Sequence, residues 1–272
     1  MLYGVGAGLE PEQIPLILDE QPSLPWFAVE AGPHLGLGGA NFRALLELRE
    51  RYPLAFFCDG LSLGSTDPLN DSFIERLVAL VERVDPETLV DDLGWRSVNH
   101  RYLHHSLPLP YTDEAVGHVA ARIREVQYRF ERPLLVRNPP IFFRFAQSTL
   151  SECQFVCAVL DEAECYLALD LSALALNARS LGFDPGEYLA ALPLERVSQL
   201  RISRYATRDG LWPPPDQGEL DALVEELFDE AIGRFGPQPT ALDWDRRRGG
   251  LDRLRSRIER LGARVEARGE LA

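Results

Sequence analysis

Short apolar runs alternate along the chain with longer segments whose apolar residues recur every three or four positions. The short runs are typical of buried strands, and the longer segments are typical of amphipathic helices. The predicted strands are residues 2–8, 26–31, 54–58, 88–93, 134–137, 166–171, 197–203 and 240–244. Because buried strands separated by helices form parallel sheets covered on both faces, the pattern predicts an α/β fold.

Eight strand–helix units in a chain of 272 residues fit a single (β/α)8 barrel, and we expect one domain over residues 1–272. The first connection, residues 10–20, is a short helix at best. An open doubly wound sheet is the alternative, but it would need an edge strand, and no short polar run offers one. We find no linker that would mark a second domain.

The charge balance narrows the range of partners. The formal net charge is -14, and such an acidic surface repels phosphate backbones, so we expect no nucleic-acid partner. All 28 basic residues are arginines, which stay charged and make forked contacts to carboxylates. The chain shows neither a signal-peptide pattern nor an apolar run long enough for a membrane span, so we expect a cytoplasmic protein without membrane contact.

In a (β/α)8 barrel the chemistry lies where the strands end and the following loops begin. The polar and aromatic residues at those positions are therefore the candidate site residues. They are Phe57 and Cys58; Asp91 and Asp92; Arg137 and Asn138; Asp170 and Ser172; Arg201, Ser203 and Arg204; and Asp243 and Asp245. Two of the loops at this end, residues 94–112 and 204–218, are long, and long ordered loops there commonly bind a ligand or partner.

Histidine and cysteine give weaker signals. The first long loop carries His100, His104 and His105, of which a pair four residues apart could bind zinc if the segment is helical. We favour histidines that pack in the loop or face solvent. Cys153 and Cys157 are also four residues apart, on a predicted helix, and we interpret them as a structural pair of thiols.

Five segments resemble one protein family. They are "GLSLGSTDPLN" (60–70), "LPLPYTDEAVGHVAARIREVQ" (107–127), "RPLLVRNP" (132–139), "RFAQSTLSECQF" (144–155) and "SLGFDPGEYLAALPLERVSQLRI" (180–202). In order and spacing they are similar to the multinuclear non-haem iron-dependent oxidative enzymes, the family of the methanobactin-biosynthesis oxidase. The resemblance implies a xylose-isomerase-like barrel that binds two or three irons and oxidises residues of ribosomally made precursor peptides, often with a small partner protein.

The positions that hold iron ligands in this family are altered here. The resemblance places Phe57, Arg179, Arg201 and Tyr205 where the family has histidines, and Arg137 where it has a glutamate. Asp170 is kept, followed by Ser172 in place of an asparagine. The resemblance also matches Asp92 to a histidine, Gln217 to a histidine and Asp243 to a glutamate. Asn138 keeps its family identity. Asp170 therefore survives from the ligand set, with Asp92 and Asp243 as further oxygen donors.

Arginine opposes a metal ion in two ways. It offers only N–H donors, and it puts positive charge where a cation would sit, at a cost of roughly 4 kcal/mol per unit charge at 4 Å and a dielectric constant of about 20. We therefore expect neither metal nor cofactor. Arg137, Arg179 and Arg201 supply counter-charge for the remaining carboxylates. We predict that Asp170 faces guanidinium groups, and that Arg137 or Arg201 pairs with Asp170 or Asp243.

Three functions are compatible with this sequence. The first is a non-catalytic relative of the oxidases, a pseudoenzyme that binds or scaffolds in a peptide-modification system, with a precursor peptide or an intact family member as partner. The second is an enzyme whose aspartates act as acid or base while its arginines hold an anionic substrate. The third is a metal enzyme with an oxygen-rich site. We favour the first.

Overall fold

A closed barrel of parallel strands forms the centre of the molecule. The computed structural model describes residues 1–99, 101–141, 143–205, 217–244 and 249–269. The barrel strands are β1 (Val5–Leu9), β2 (Phe27–Glu30), β3 (Leu54–Phe57), β4 (Thr88–Asp92), β7 (Leu135–Arg137), β8 (Tyr166–Asp170), β9 (Val197–Ile202) and β10 (Thr240–Asp243). They close in the order β1-β10-β9-β8-β7-β4-β3-β2. Seven of them lie within a predicted strand and β1 extends one residue beyond its prediction, so the (β/α)8 prediction is confirmed.

Helices surround the barrel and bury their apolar faces on it. They are α1 (Ile14–Glu20), α2 (Gly39–Arg51), α3 (Asp71–Val84), α4 (Asp113–Phe130), α5 (Glu152–Ala163), α6 (Leu171–Leu181), α7 (Pro185–Ala191), α8 (Gln217–Phe235) and α9 (Leu251–Gly269). None of the helices in the described ranges combines the length and apolar character that a membrane span requires.

Local capping fixes where several helices begin. The side chains of Asn70, Thr112 and Ser151 accept hydrogen bonds from backbone N–H groups in the first turns of α3, α4 and α5. The same role at α6 is filled by Asp170, whose Oδ1 accepts from the Ala173 N–H at 3.0 Å. A candidate site residue therefore also sets the start of a helix.

The first long loop contains an antiparallel hairpin that the sequence analysis missed. Its strands are β5 (Trp95–Val98) and β6 (Arg101–Leu107). A zinc pair, the alternative that we did not favour, would need a helix in this segment, and residues 101–107 form a strand instead. His105 is exposed on β6, while His100 and the side chain of His104 lie outside the described residues. No group of three potential metal-binding side chains occurs in the described ranges.

Candidate functional site

Six strands bring the candidate residues together at the end of the barrel where the strands stop, here called the mouth. Because the strands are parallel, their carboxyl ends meet there. The mouth residues are Phe57 (β3), Asp92 (β4), Arg137 and Asn138 (β7), Asp170 and Ser172 (β8 and α6), Arg201, Ser203 and Tyr205 (β9 and after it) and Asp243 (β10). With Arg96 from the hairpin, they form what we call the mouth network.

Asp92 lies between two guanidinium groups. Its Oδ1 accepts from Arg137 Nε at 2.7 Å, and its Oδ2 accepts from Arg96 Nη2 at 2.7 Å. Arg96 also pairs with Asp59, with 2.6 Å between Nη1 and Oδ1. Burial raises the pKa of Asp92, but the charges and hydrogen bonds of Arg137 and Arg96 outweigh burial and hold it below its usual value. Asp92 is therefore a charged carboxylate that both arginines hold in place.

Phe57 covers the Arg137 guanidinium. The Arg137 Cζ atom lies 4.2 Å from the centre of the Phe57 ring, and the Arg201 Cζ atom lies 5.9 Å from the same centre. Both distances fall within the range of a cation–π contact. An aromatic ring thus replaces solvent beside the two arginines, and Arg137 itself is only 7% exposed.

Asp170 is held by hydroxyl groups rather than by an arginine. Its Oδ2 accepts from the Tyr205 hydroxyl at 2.6 Å and from the Ser203 hydroxyl. Burial raises the pKa of Asp170, and that effect outweighs the charge of nearby Arg137 and the hydroxyl hydrogen bonds. The prediction that Asp170 faces guanidinium groups is therefore wrong as far as its bonded partners in the described residues are concerned, which are two hydroxyl groups and a backbone N–H. Arg137 influences Asp170 through its charge alone.

The prediction that Arg137 or Arg201 pairs with Asp170 or Asp243 is confirmed by the pair of Arg201 and Asp243. Arg201 Nη2 lies 2.5 Å from Asp243 Oδ1, and Arg201 Nε donates to the Ser203 hydroxyl at 3.0 Å. Ser203 accepts from Arg201 and donates to Asp170, so it links the ion pair to the buried carboxylate. Arg201 and Asp170 are thus neighbours through one hydroxyl group.

Asn138 joins the ends of two strands. Its Oδ1 accepts from the Asp170 N–H at 2.8 Å, and its Nδ2 donates to the Asp170 carbonyl oxygen at 3.1 Å. Both hydrogen bonds are buried, and they tie the end of β7 to the end of β8. Asn138 therefore positions the Asp170 backbone and leaves its carboxylate to other partners.

Two predicted site residues lie elsewhere or outside the description. Arg179 is exposed on the outer side of α6, where its Nη1 lies 3.2 Å from Glu219 Oε2 in the first turn of α8. Its expected place at the mouth is therefore wrong, because the helix turns this side chain away from the barrel. Gln217 begins α8, and its side chain lies outside the described residues, as do Asp245 and residues 206–216.

An open cavity of about 1670 Å³ lies over the mouth. Phe57, Ser172, Arg201, Tyr205 and Asp243 line it, whereas Asp92, Arg137 and Asp170 do not appear among its described lining residues. Its charged lining includes the carboxylates of Glu10, Glu12, Glu30, Asp221 and Glu225. It also includes the guanidinium groups of Arg204, Arg253, Arg257 and Arg260. The cavity can therefore take a polar ligand with groups of either charge, while the carboxylates of Asp92 and Asp170 are not part of its described lining.

The comparisons with known proteins agree with this fold. The family model for the RiPP precursor modification enzyme MbnB/TglH/ChrH matches residues 4–265. This chain belongs to that family. A UPF0276 protein of Acaryochloris marina is 37% identical over 244 residues, which cover 90% of this chain and 88% of the relative.

Solved structures similar to this chain share the barrel at low identity. A D-tagatose 3-epimerase-like protein has a TM-score of 0.60 and 13% identity, covering 98% of each chain. A fusion protein described as a xylose isomerase-like TIM barrel with a 4-hydroxyphenylpyruvate dioxygenase has a TM-score of 0.50 and 13% identity, covering 89% of this chain and 39% of the fusion. The fold of this family member is therefore a xylose-isomerase-like barrel.

Sequence reasoning missed one residue that matters at the mouth of this MbnB/TglH/ChrH family member. Arg96 was hidden because its hairpin was interpreted as a loop. Asp91 was named beside Asp92 as a candidate, yet it is buried on the far side of β4 from Asp92 and accepts from the Leu61 N–H at 3.0 Å. Burial, with the charges of Asp92 and Asp59, raises the pKa of Asp91 to about 7. Successive side chains along a strand point to opposite faces, and this alternation along β4 could have shown that Asp91 and Asp92 face different ways.

Proposed function

We propose that this chain is a non-catalytic member of the RiPP precursor modification family that binds a peptide at the barrel mouth without an iron centre. One observation carries the proposal. The Arg137 guanidinium lies between Asp92 and the Phe57 ring, at positions that the family resemblance matches to iron ligands. A guanidinium there supplies the positive charge that a metal ion would otherwise provide to the carboxylate.

The donor atoms of the mouth network do not fit an iron ion. Iron sites in such enzymes combine imidazole and carboxylate ligands with open positions. Here Asp92 has both oxygens bound by arginines, and Asp170 has one oxygen bound by two hydroxyl groups and the other by a backbone N–H. A cation placed among them would also meet the fixed charge of Arg137.

The size and the polar lining of the cavity over the mouth support peptide binding. The cavity is large enough for several side chains, and its lining alternates acidic, basic and apolar groups. Large concave sites with convergent polar groups are where ligands bind in proteins of this size. The family description supplies the substrate class, since its members modify RiPP precursors. We infer that this chain keeps the recognition of such peptides and has lost the chemistry.

Peptides are selected from a random cysteine-containing library by their binding to the purified protein. We expect the selected peptides to bind at the mouth and to dissociate without chemical modification. Ala222→Trp fills part of the cavity from an exposed position on α8, and we expect it to weaken peptide binding at least about tenfold, or about 1.4 kcal/mol. Ala267→Trp, exposed on α9 and absent from the described cavity lining, is the matched control and should leave the affinity unchanged. Calorimetry measures both.

The chemical half of the proposal is tested on the same peptides by mass spectrometry. After incubation with the protein, ferrous iron and oxygen, the peptide mass should be unchanged. A mass change that depends on the protein would show that the family chemistry persists. If the Ala222→Trp and Ala267→Trp variants bound the selected peptides with equal affinity, the mouth would not be the binding site.

A further inference from the structure

A second group of arginines lies at the edge of the cavity, apart from the mouth network. Arg204 follows β9, while Arg253 and Arg257 lie one turn apart on α9. All three line one small recess that opens beside Trp244 and Gly249, and all three also line the large cavity. Two separate elements of the fold therefore direct guanidinium groups to one place.

The carboxylates nearest to these arginines are Asp221, Glu225 and Asp243, and each has an interaction of its own. Glu225 lies within ion-pair distance of Arg260 and Arg264, and Asp243 pairs with Arg201. Arg253 has an interaction of its own. Within the described part of the chain, Arg204 and Arg257 have no carboxylate within ion-pair distance.

Among the described residues that line this recess there are three arginines and one carboxylate, Asp243. The pKa of Arg257 is lowered, mainly by burial and further by the charges of Arg204 and Arg260, although Asp221 and Glu225 act in the opposite direction. The folded chain therefore places like charges close together in a half-buried position. In a protein with a net charge of -14, such a local arrangement of arginines needs a compensating anion. The loops after the last two strands of a (β/α)8 barrel are also a frequent site for anionic groups.

We propose that the recess formed by Arg204 and Arg257 binds the side-chain carboxylates of an acidic peptide segment. This inference rests on the proposed function, because it assigns a contact to the peptide that the mouth binds. Guanidinium groups from two elements can each bind a carboxylate in a forked geometry.

Long-range repulsion by the acidic surface does not prevent this contact. The Debye length is about 8 Å at physiological ionic strength, so charges elsewhere on the molecule are largely screened. Within the recess the two guanidinium groups are closer to the ligand than that distance, and they are partly shielded from solvent. Local attraction therefore decides where an acidic segment binds.

The inference is tested with a fluorescein-labelled peptide of alternating aspartate and glycine, compared with the same peptide carrying asparagine at each aspartate. Fluorescence anisotropy should give tight binding for the aspartate peptide alone. Arg257→Gln and Arg204→Gln should each weaken its affinity about tenfold or more, the effect of losing a charged hydrogen bond. Arg76→Gln removes the same charge from an exposed position on α3 and should have no effect. Thermal melts confirm that the variants fold.

Each other outcome has a definite meaning. Equal binding of the two peptides, with Ala222→Trp still weakening both, would overturn the recess assignment and leave the peptide-binding function intact. Binding of the aspartate peptide that Arg257→Gln and Arg204→Gln do not weaken would overturn it as well. Displacement of the aspartate peptide by inorganic phosphate is expected only at high concentration. Phosphate binding that needs both arginines, with no binding of either peptide, would assign the recess to a small oxyanion and contradict the peptide function too.

Discussion

Replacing Asp92 by alanine lowers the free energy of unfolding by about 3–5 kcal/mol, the usual cost of removing one partner from a buried ion pair. The change leaves Arg137 buried without its hydrogen-bond partner and removes one of two carboxylates from Arg96. Urea denaturation at neutral pH measures the loss. Asp243→Ala is the matched control. Its partner Arg201 is partly solvated, so about 1 kcal/mol is expected.

A double-mutant cycle assigns the loss to the pair itself. Arg137→Met keeps most of the side-chain volume beside Phe57 and removes the charge. We expect the double variant Asp92→Ala, Arg137→Met to lose about 2 kcal/mol less free energy of unfolding than the sum of the two single variants. Each single variant leaves one charge of the pair buried without its partner, whereas the double variant removes both charges. Simple additivity would mean that Asp92 and Arg137 do not stabilise one another.

Asp170→Ala lowers the free energy of unfolding by about 3 kcal/mol. Loss of the cap on α6 contributes about 1 kcal/mol, and the Ser203 and Tyr205 hydroxyl groups are left without their acceptor. Asp170→Asn keeps an oxygen for the Ala173 N–H and offers an amide donor to the two hydroxyl oxygens. It should therefore cost about 1 kcal/mol.

The comparison of these two variants identifies what holds Asp170. If Asp170→Asn destabilised the fold as much as Asp170→Ala, the negative charge opposite Arg137 would be the main contribution, and the hydroxyl contacts would be secondary. A cost confined to Asp170→Ala supports the hydroxyl contacts. Thermal melts and urea denaturation of the same proteins should agree on this order.

The barrel was predictable because its strands are buried on both faces and therefore appear as continuous apolar runs. The pair of Arg201 and Asp243 was one of four alternatives predicted from the sequence, and the sheet shows why it forms. Arg201 lies opposite Ala241 in the register of β9 and β10, and Asp243 is two residues further on the same face. Because adjacent strands end at one mouth, the proximity of the two charges can be inferred without their side-chain conformations.

Register alone does not decide which partner an arginine takes. Arg201 lies directly opposite Asp170 in the register of β8 and β9, yet it pairs with Asp243. Arg137 pairs with Asp92, which lies directly opposite it on β4, and not with Asp170. Side-chain conformations settle these choices, and the sequence does not give them. Arg179 shows a second limit, since the rotation of a helix decides whether its last turn faces the barrel or a neighbouring helix.

The iron content of the purified protein tests most directly whether a salt-bridge network has replaced the metal centre. The protein is incubated with excess ferrous iron without oxygen, separated from unbound iron, and analysed by plasma mass spectrometry. We predict well under one iron per chain, because the guanidinium groups of Arg137 and Arg96 already bind both Asp92 oxygens. Two or three irons that stay bound through the separation would contradict the account.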